Sequence, residues 1–229
     1  MTTSRLFSLA GLSAIVAGIM FVLVGLLHVP VSHHGGLSSV NGDVWILTHS
    51  LTIGVSFFGL LGIVGIYARQ AEKAGWLGLA GMLLVGLWLV LVPGFTFFEA
   101  LILPLVAVEA PTFAEGFLGI FNGSVGTSFG TLATVWTLMG LMFIVGPLLL
   151  GIATFRAGIL SKWAAGLFGL GGATSVAFAL LPPELLSLAT VPVSVGLAWL
   201  GYDLVAERRG QVSEPLPRSA MAAGEIGAA

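Results

Sequence analysis

All four histidines of the chain lie in one stretch, HVPVSHHGGLSSVNGDVWILTH, between positions 28 and 49. They are His28, His33, His34 and His49. The chain has no cysteine, so imidazole and carboxylate groups are its strongest ligands for a metal ion. These residue types favour binding of a divalent transition metal such as Zn, Fe or Cu, or of haem between two facing histidines.

The rest of the chain is strongly apolar. Of its 229 residues, 57% are hydrophobic and 8% are charged, and the mean hydropathy is +1.09. A water-soluble domain has about 25% charged residues. The composition therefore predicts an all-α, polytopic helix bundle in a lipid bilayer. So few basic residues argue against nucleic acid as a partner, whereas a protein partner or a homo-oligomer stays open.

Six stretches have the roughly 20 apolar residues that a spanning helix needs. They cover positions 6–28, 44–68, 75–106, 127–155, 163–181 and 184–206. The first could be taken for a signal peptide, but its apolar run exceeds the roughly 7 to 15 residues of such a segment. We predict a six-helix transmembrane domain over 1–206 and a disordered cytoplasmic tail over 207–229.

The basic residues predict the orientation of this bundle. All of them fall on the same side of a six-helix arrangement. An excess of Lys and Arg in short loops marks the cytoplasmic side of a membrane protein. We therefore expect both termini to be cytoplasmic, the histidine stretch to face outward, and the protein to lie in the plasma membrane. The basic residues are Arg5, Arg69, Lys73, Arg156, Lys162, Arg208, Arg209 and Arg218.

Three titratable residues reach a common depth in the predicted bundle. At 1.5 Å per residue, His28 lies roughly 33 Å, His49 roughly 29 Å and Glu99 roughly 36 Å from the inner ends of their helices. Helices joined by short connections are usually neighbours. The sequence thus predicts a metal site formed by His28, His49 and Glu99 near the outer rim, with His33 and His34 as additional ligands left open.

Each of these residues also has a purely structural interpretation. His49 begins a polar stripe with Thr52 and Ser56, which is typical of hydrogen bonding between packed helices. Glu99, within FTFFEALILP, is expensive to bury unless it has a function, yet it could also lie just outside the apolar core. His33 and His34 precede two glycines, which predicts a solvated turn.

A short segment between the third and fourth helices has Phe113, Phe117 and Phe121 four residues apart. This spacing places the three rings on one helical face. The segment is predicted either to lie flat on the outer leaflet or to cap the bundle, and we favour the cap.

Three functions agree with these patterns. The first is a membrane protein with an outward-facing metal or haem site, either redox-active or hydrolytic. The second is a transport or substrate-capture protein for a small solute, in which Glu99 and the histidines bind the solute or carry protons. The third is an accessory or assembly protein without a chemical site. The sequence does not decide whether the protein is an enzyme.

Overall fold

The computed structural model describes residues 2–40, 42–123, 129–178, 180 and 182–213, and within these ranges all regular structure is helical. Two 3-10 segments, His33–Gly35 and Pro183–Ala189, and a π-helical turn, Phe98–Ile102, accompany the α-helices. The α-helices are α1 (Thr3–Leu27), α2 (Leu37–Val40), α3 (Asp43–Phe97), α4 (Leu103–Glu109), α5 (Pro111–Asn122), α6 (Thr131–Ala157), α7 (Lys162–Phe178) and α8 (Thr190–Ser213).

Helix α3 is a hairpin, because Gly75 interrupts it with φ 56° and ψ −152°. Only glycine adopts this conformation without strain. The first arm, 43–74, and the second arm, 76–97, then run side by side, since a Cβ built on Gly59 would lie 3.2 Å from Leu89. The hairpin returns the chain to the end at which α3 began.

Close contacts at glycines join the long elements into a ring. The order around the ring is α1, the first arm, the second arm, α6, α7, α8 and again α1. Small residues let helix backbones approach where no hydrophobic effect between helices in lipid drives them together. The pairs that meet are Gly62 with Ala14, Gly59 with Leu89, Gly146 with Val85, Gly151 with Gly169, Gly171 with Val193, and Gly11 with Gly201.

The two ends of the ring differ in chemistry. At the end that contains Gly75, here called the basic end, the guanidinium of Arg69 donates to the Glu207 carboxylate at 2.7 Å. Beside it, the Gln70 amide donates to the Thr154 hydroxyl at 2.6 Å. These bonds tie the first arm to α8 and to α6. The opposite end, here called the histidine end, contains the candidate site.

Four helical stretches are long and apolar enough to cross a membrane: Thr3–Leu27, Asp43–Glu109, Thr131–Ala157 and Leu185–Glu207. The second has 67 residues and includes both arms of the hairpin. Helix α7 has 17 residues, which is roughly 25 Å of helix. The all-helical membrane bundle is thus supported, whereas six crossings and a cytoplasmic location of both termini stay predictions.

The C-terminal helix extends into the segment 207–229 that was predicted as a disordered tail. Helix α8 continues through Ser213, past the boundary that the sequence placed at position 206. The remainder of the predicted tail, 214–229, lies outside the described residues.

The glycine contacts generate a stability prediction. A Cβ at Gly62 would lie 2.7 Å from the Cβ and 2.8 Å from the Cα of Ala14, whereas one at Gly94 meets nothing within 4 Å. We expect Gly62→Ala to destabilise the bundle by about 1–3 kcal/mol through overpacking. Thermal unfolding in mild detergent measures this effect, and Gly94→Ala is the matched control that should unfold no earlier than the unsubstituted protein.

Candidate metal centre

Three histidines from three parts of the chain converge at the histidine end. His28 follows the last residue of α1, His33 begins a 3-10 segment, and His49 lies in the first arm of α3. One ring nitrogen of each lies within 4.8 Å of the others. The ring centroids are 4.9 Å (His28 and His33), 5.4 Å (His28 and His49) and 5.7 Å (His33 and His49) apart.

The turn after α1 brings His33 back over the bundle. Helix α1 ends before Pro30, which removes a backbone donor and disfavours helix at the preceding residue. The His33 ring then stacks on Phe121 of α5, with 4.2 Å between centroids and a 25° angle between planes. Only 15% of the His33 side chain is exposed. The prediction that His33 lies in a solvated turn is therefore wrong, whereas His34 is exposed.

Glu99 reaches the site on an irregular turn of helix. The second arm of α3 passes through Pro93 without a break, and the π-helical turn Phe98–Ile102 follows it. Such turns rotate the helix face by one extra residue and frequently occur at functional sites. The indole Nε1–H of Trp45 donates to the backbone oxygen of Glu99 at 2.7 Å. This bond ties the irregular turn to the first arm.

The Glu99 carboxylate lies against two of the three imidazoles. His33 Nε2 lies 2.6 Å from Oε1, within hydrogen-bond distance, and His49 Nε2 lies 3.6 Å from Oε2. The Glu99 side chain is 3% exposed. The alternative in which Glu99 merely meets water outside the helices is therefore wrong.

His49 presents a nitrogen that has no protein partner. Its Nδ1–H donates to the backbone oxygen of Trp45 at 2.8 Å, so that Nε2 carries the free lone pair. This Nε2 atom is buried and unpaired. A buried polar atom without a partner is unfavourable by about 1–3 kcal/mol, so this one indicates a group that the protein itself does not supply.

The polar stripe that follows His49 is satisfied within its own helix. The hydroxyl of Thr52 donates to the backbone oxygen of Thr48, and the hydroxyl of Ser56 donates to that of Thr52, both at 3.0 Å. These residues do not hydrogen-bond a neighbouring helix, which was the structural interpretation of the stripe. His49 is thus the residue of the stripe with free bonding capacity.

The protonation state of His33 favours binding of a cation. Burial, with the neighbouring His34 as a second cause, lowers the pKa of His33 to about 3. The imidazole is therefore neutral at physiological pH, and the neutral form is the one that ligates metals.

The separations in the cluster fit one small divalent ion. Zn²⁺ holds nitrogen and oxygen ligands at about 2.0–2.2 Å in a tetrahedron, whose ligands are then roughly 3.4 Å apart. The distance of 3.6 Å between His49 Nε2 and Glu99 Oε2 is close to this value. The ring nitrogens of the three histidines lie within 4.8 Å of one another. They reach the tetrahedral separation of roughly 3.4 Å if each moves inward by roughly 1 Å.

Helix α5 covers the site, in agreement with the favoured interpretation of its phenylalanines. Phe117 is buried, at 4% exposure, and Phe121 packs on both His33 and Trp136. Phe113, by contrast, is 49% exposed. The segment therefore caps the histidine end with the last two rings of the series.

Two supporting residues were missed in the sequence. Trp45 precedes His49 by four residues and so shares its helical face, a spacing that could have marked it as a neighbour of the site. Phe121 was assigned to the cap without any link to His33. The structure brings together the predicted His28, His49 and Glu99, adds His33, and leaves His34 outside.

Comparison of the chain with models of known protein families, with curated proteins and with solved structures found no match.

The bond between Trp45 and Glu99 generates a second prediction. Trp45→Phe keeps most of the ring but removes the donor, which leaves the Glu99 carbonyl of the π-helical turn without its partner. We expect a loss of about 1–3 kcal/mol in the free energy of unfolding. Thermal unfolding tests this expectation, with Trp163→Phe as the control because Trp163 is 81% exposed. Equal shifts for the two variants would contradict a specific role for the bond.

Proposed function

We propose that this protein is a polytopic membrane protein whose cluster of His28, His33, His49 and Glu99 binds one divalent transition metal ion. The observation that supports the proposal most directly is the convergence of three imidazole nitrogens within 4.8 Å. A neighbouring carboxylate completes the set of nitrogen and oxygen donors, and the Nε2 atom of His49 within that set has no hydrogen-bond partner. Three nitrogens and one oxygen suit Zn²⁺, and also Fe or Cu ions.

The geometry favours a single ion over haem. A haem bound by two histidines needs a slot for the macrocycle between the two rings. Here the three imidazole rings lie 4.9–5.7 Å apart, centroid to centroid, so that they contact one another directly. A third histidine would also have no axial position to occupy.

The apolar interior argues against a transporter for a polar solute. Carriers usually bind their substrate near the middle of the membrane, on broken helices with polar groups. Between the histidine end and the basic end, the interior of this bundle is a continuous hydrophobic cluster that includes Val55, Ile63, Leu89 and Phe168. An accessory role without a site would leave the His49 nitrogen and the convergence of imidazoles unexplained.

In the membrane, we propose six crossings: α1, the two arms of α3, α6, α7 and α8. The support is the glycine-mediated ring, in which these six elements alternate in direction between the two ends. Arg69, Lys73, Arg156 and Lys162 all lie at the turns of the basic end. The excess of basic residues supports a cytoplasmic location for that end, and with it a metal centre near the outer face of the plasma membrane.

Metal analysis tests the proposed site. Protein purified in mild detergent and supplied with Zn²⁺ should retain a stoichiometric amount of zinc, and a chelator should lower its unfolding temperature. His49→Ala should weaken zinc binding by about tenfold or more, because it removes the free nitrogen and affects Glu99. His34→Ala is the matched control, since His34 lines the same cavity but is exposed and is not one of the three clustered imidazoles. A metal-free protein that is indifferent to chelator would refute the proposal.

Cysteine labelling tests the orientation, because the natural chain has no cysteine. Ser38 is exposed at the histidine end and Lys73 is exposed at the basic end. In intact cells, a membrane-impermeant maleimide should modify Ser38→Cys, whereas Lys73→Cys should react only after the membrane is permeabilised. The reverse pattern would show that the metal centre faces the cytoplasm.

A further inference from the structure

A cavity of about 360 Å³ extends from the histidine cluster into the bundle. This volume falls in the range of roughly 300–1,000 Å³ that is usual for pockets that bind small organic molecules. His28, His33, His49 and Glu99 all line it. The proposed metal site is therefore part of the wall of a chamber that has room for a second molecule.

The part of the cavity away from the histidines is built from aromatic rings. Phe21, Trp88 and Phe143 contact one another there, with centroids 5.9 Å (Phe21 and Trp88), 6.1 Å (Phe21 and Phe143) and 5.0 Å (Trp88 and Phe143) apart. Val24 and Val92 add aliphatic surface between these rings and the histidines. Such a wall favours an apolar body over a hydrated solute.

Few buried polar atoms along the cavity are free to form a hydrogen bond with an occupant. Among the described residues, three buried side-chain polar atoms lack a partner, and two of them, His49 Nε2 and Ser187 Oγ, belong to residues that line this cavity. The hydroxyls of Thr52, Thr96 and Thr190 donate instead to backbone oxygens of their own segments. An occupant therefore needs a polar head at the histidines and little polarity elsewhere.

The cavity reaches the outside of the bundle through apolar residues. Gly140 of α6 and Leu186, which precedes α8, line the cavity and are exposed. Gly140 lies nine residues after the start of α6 at Thr131, or roughly 14 Å along the helix. In the proposed membrane orientation, this depth is within the hydrocarbon layer rather than in the headgroup region.

We propose that the cavity binds a small, lipid-soluble molecule whose single metal-coordinating head group reaches the ion at His28, His33 and His49, and whose apolar body lies against Phe21, Trp88 and Phe143. This inference rests on the proposed function, because the head group is assigned to the metal. A lipophilic ligand enters from the hydrocarbon layer beside Gly140, whereas water-soluble chelators reach the ion without using the apolar wall.

The test compares two probes with the same head group on protein loaded with Co²⁺, whose visible absorption reports ligands at the ion. Octanohydroxamate has a chelating head and an apolar tail, whereas acetohydroxamate has the head alone. We expect octanohydroxamate to bind at least tenfold more tightly, because its added methylene groups are buried. Octanamide, which keeps the tail but chelates weakly, should not change the spectrum.

Two cavity variants separate binding in the cavity from partition into detergent. Gly140→Leu fills the cavity from α6, and a Cβ there meets nothing within 4 Å. It should reduce the preference for octanohydroxamate to less than threefold while the affinity for acetohydroxamate stays unchanged. Gly94→Leu, which is equally unobstructed but outside the cavity, should keep the full preference. Ser175→Leu fills the cavity from α7 and serves if Gly140→Leu does not fold.

The outcomes are distinguishable. Co²⁺ binding with equal affinity for the two hydroxamates, or a preference that neither cavity variant reduces, would overturn the lipophilic-ligand inference and leave the metal centre standing. A protein that binds no Co²⁺ or Zn²⁺ would overturn both.

Discussion

The structure of the histidine end follows from the need to accommodate a carboxylate inside a bundle of apolar helices. An isolated buried carboxylate is strongly unfavourable, so Glu99 requires partners on several elements at once. His33 contacts one carboxylate oxygen, His49 faces the other, and Trp45 binds the backbone oxygen of the same residue. The first arm, the second arm and the turn after α1 therefore meet at one residue.

A second constraint comes from the glycines. Gly62, Gly151 and Gly171 lie where a neighbouring helix approaches so closely that a side chain would clash. These contacts join neighbouring long elements into the ring. The hydrophobic cluster fills the interior toward the basic end, whereas a cavity of about 360 Å³ lies beside the histidines.

Much of this arrangement could be predicted from the sequence, because membrane thickness restricts where a helical residue lies. Counting 1.5 Å per residue placed His28, His49 and Glu99 at one depth, and the structure brings them together. The position of His33 could not be predicted in this way, because it depends on a turn and on stacking against Phe121, which is distant in sequence. The π-helical turn at Glu99 could not be predicted either, because no local sequence pattern marks it. Its contact with Trp45 joins residues that are distant in sequence.

The break at Gly75 has a mechanical consequence for the opposite end of the molecule. His49 lies on the first arm of the hairpin and Glu99 on the π-helical turn that follows the second arm, each roughly 36–39 Å along its helix from Gly75. At such a radius, a change of about one degree in the angle between the arms moves the two side chains apart by roughly 0.6 Å. Metal sites need a precision of about 0.5 Å. Packing between the two arms, as at Gly59 and Leu89, restrains this angle, and the indole bond of Trp45 restrains it further at the open end, beside His49 and Glu99.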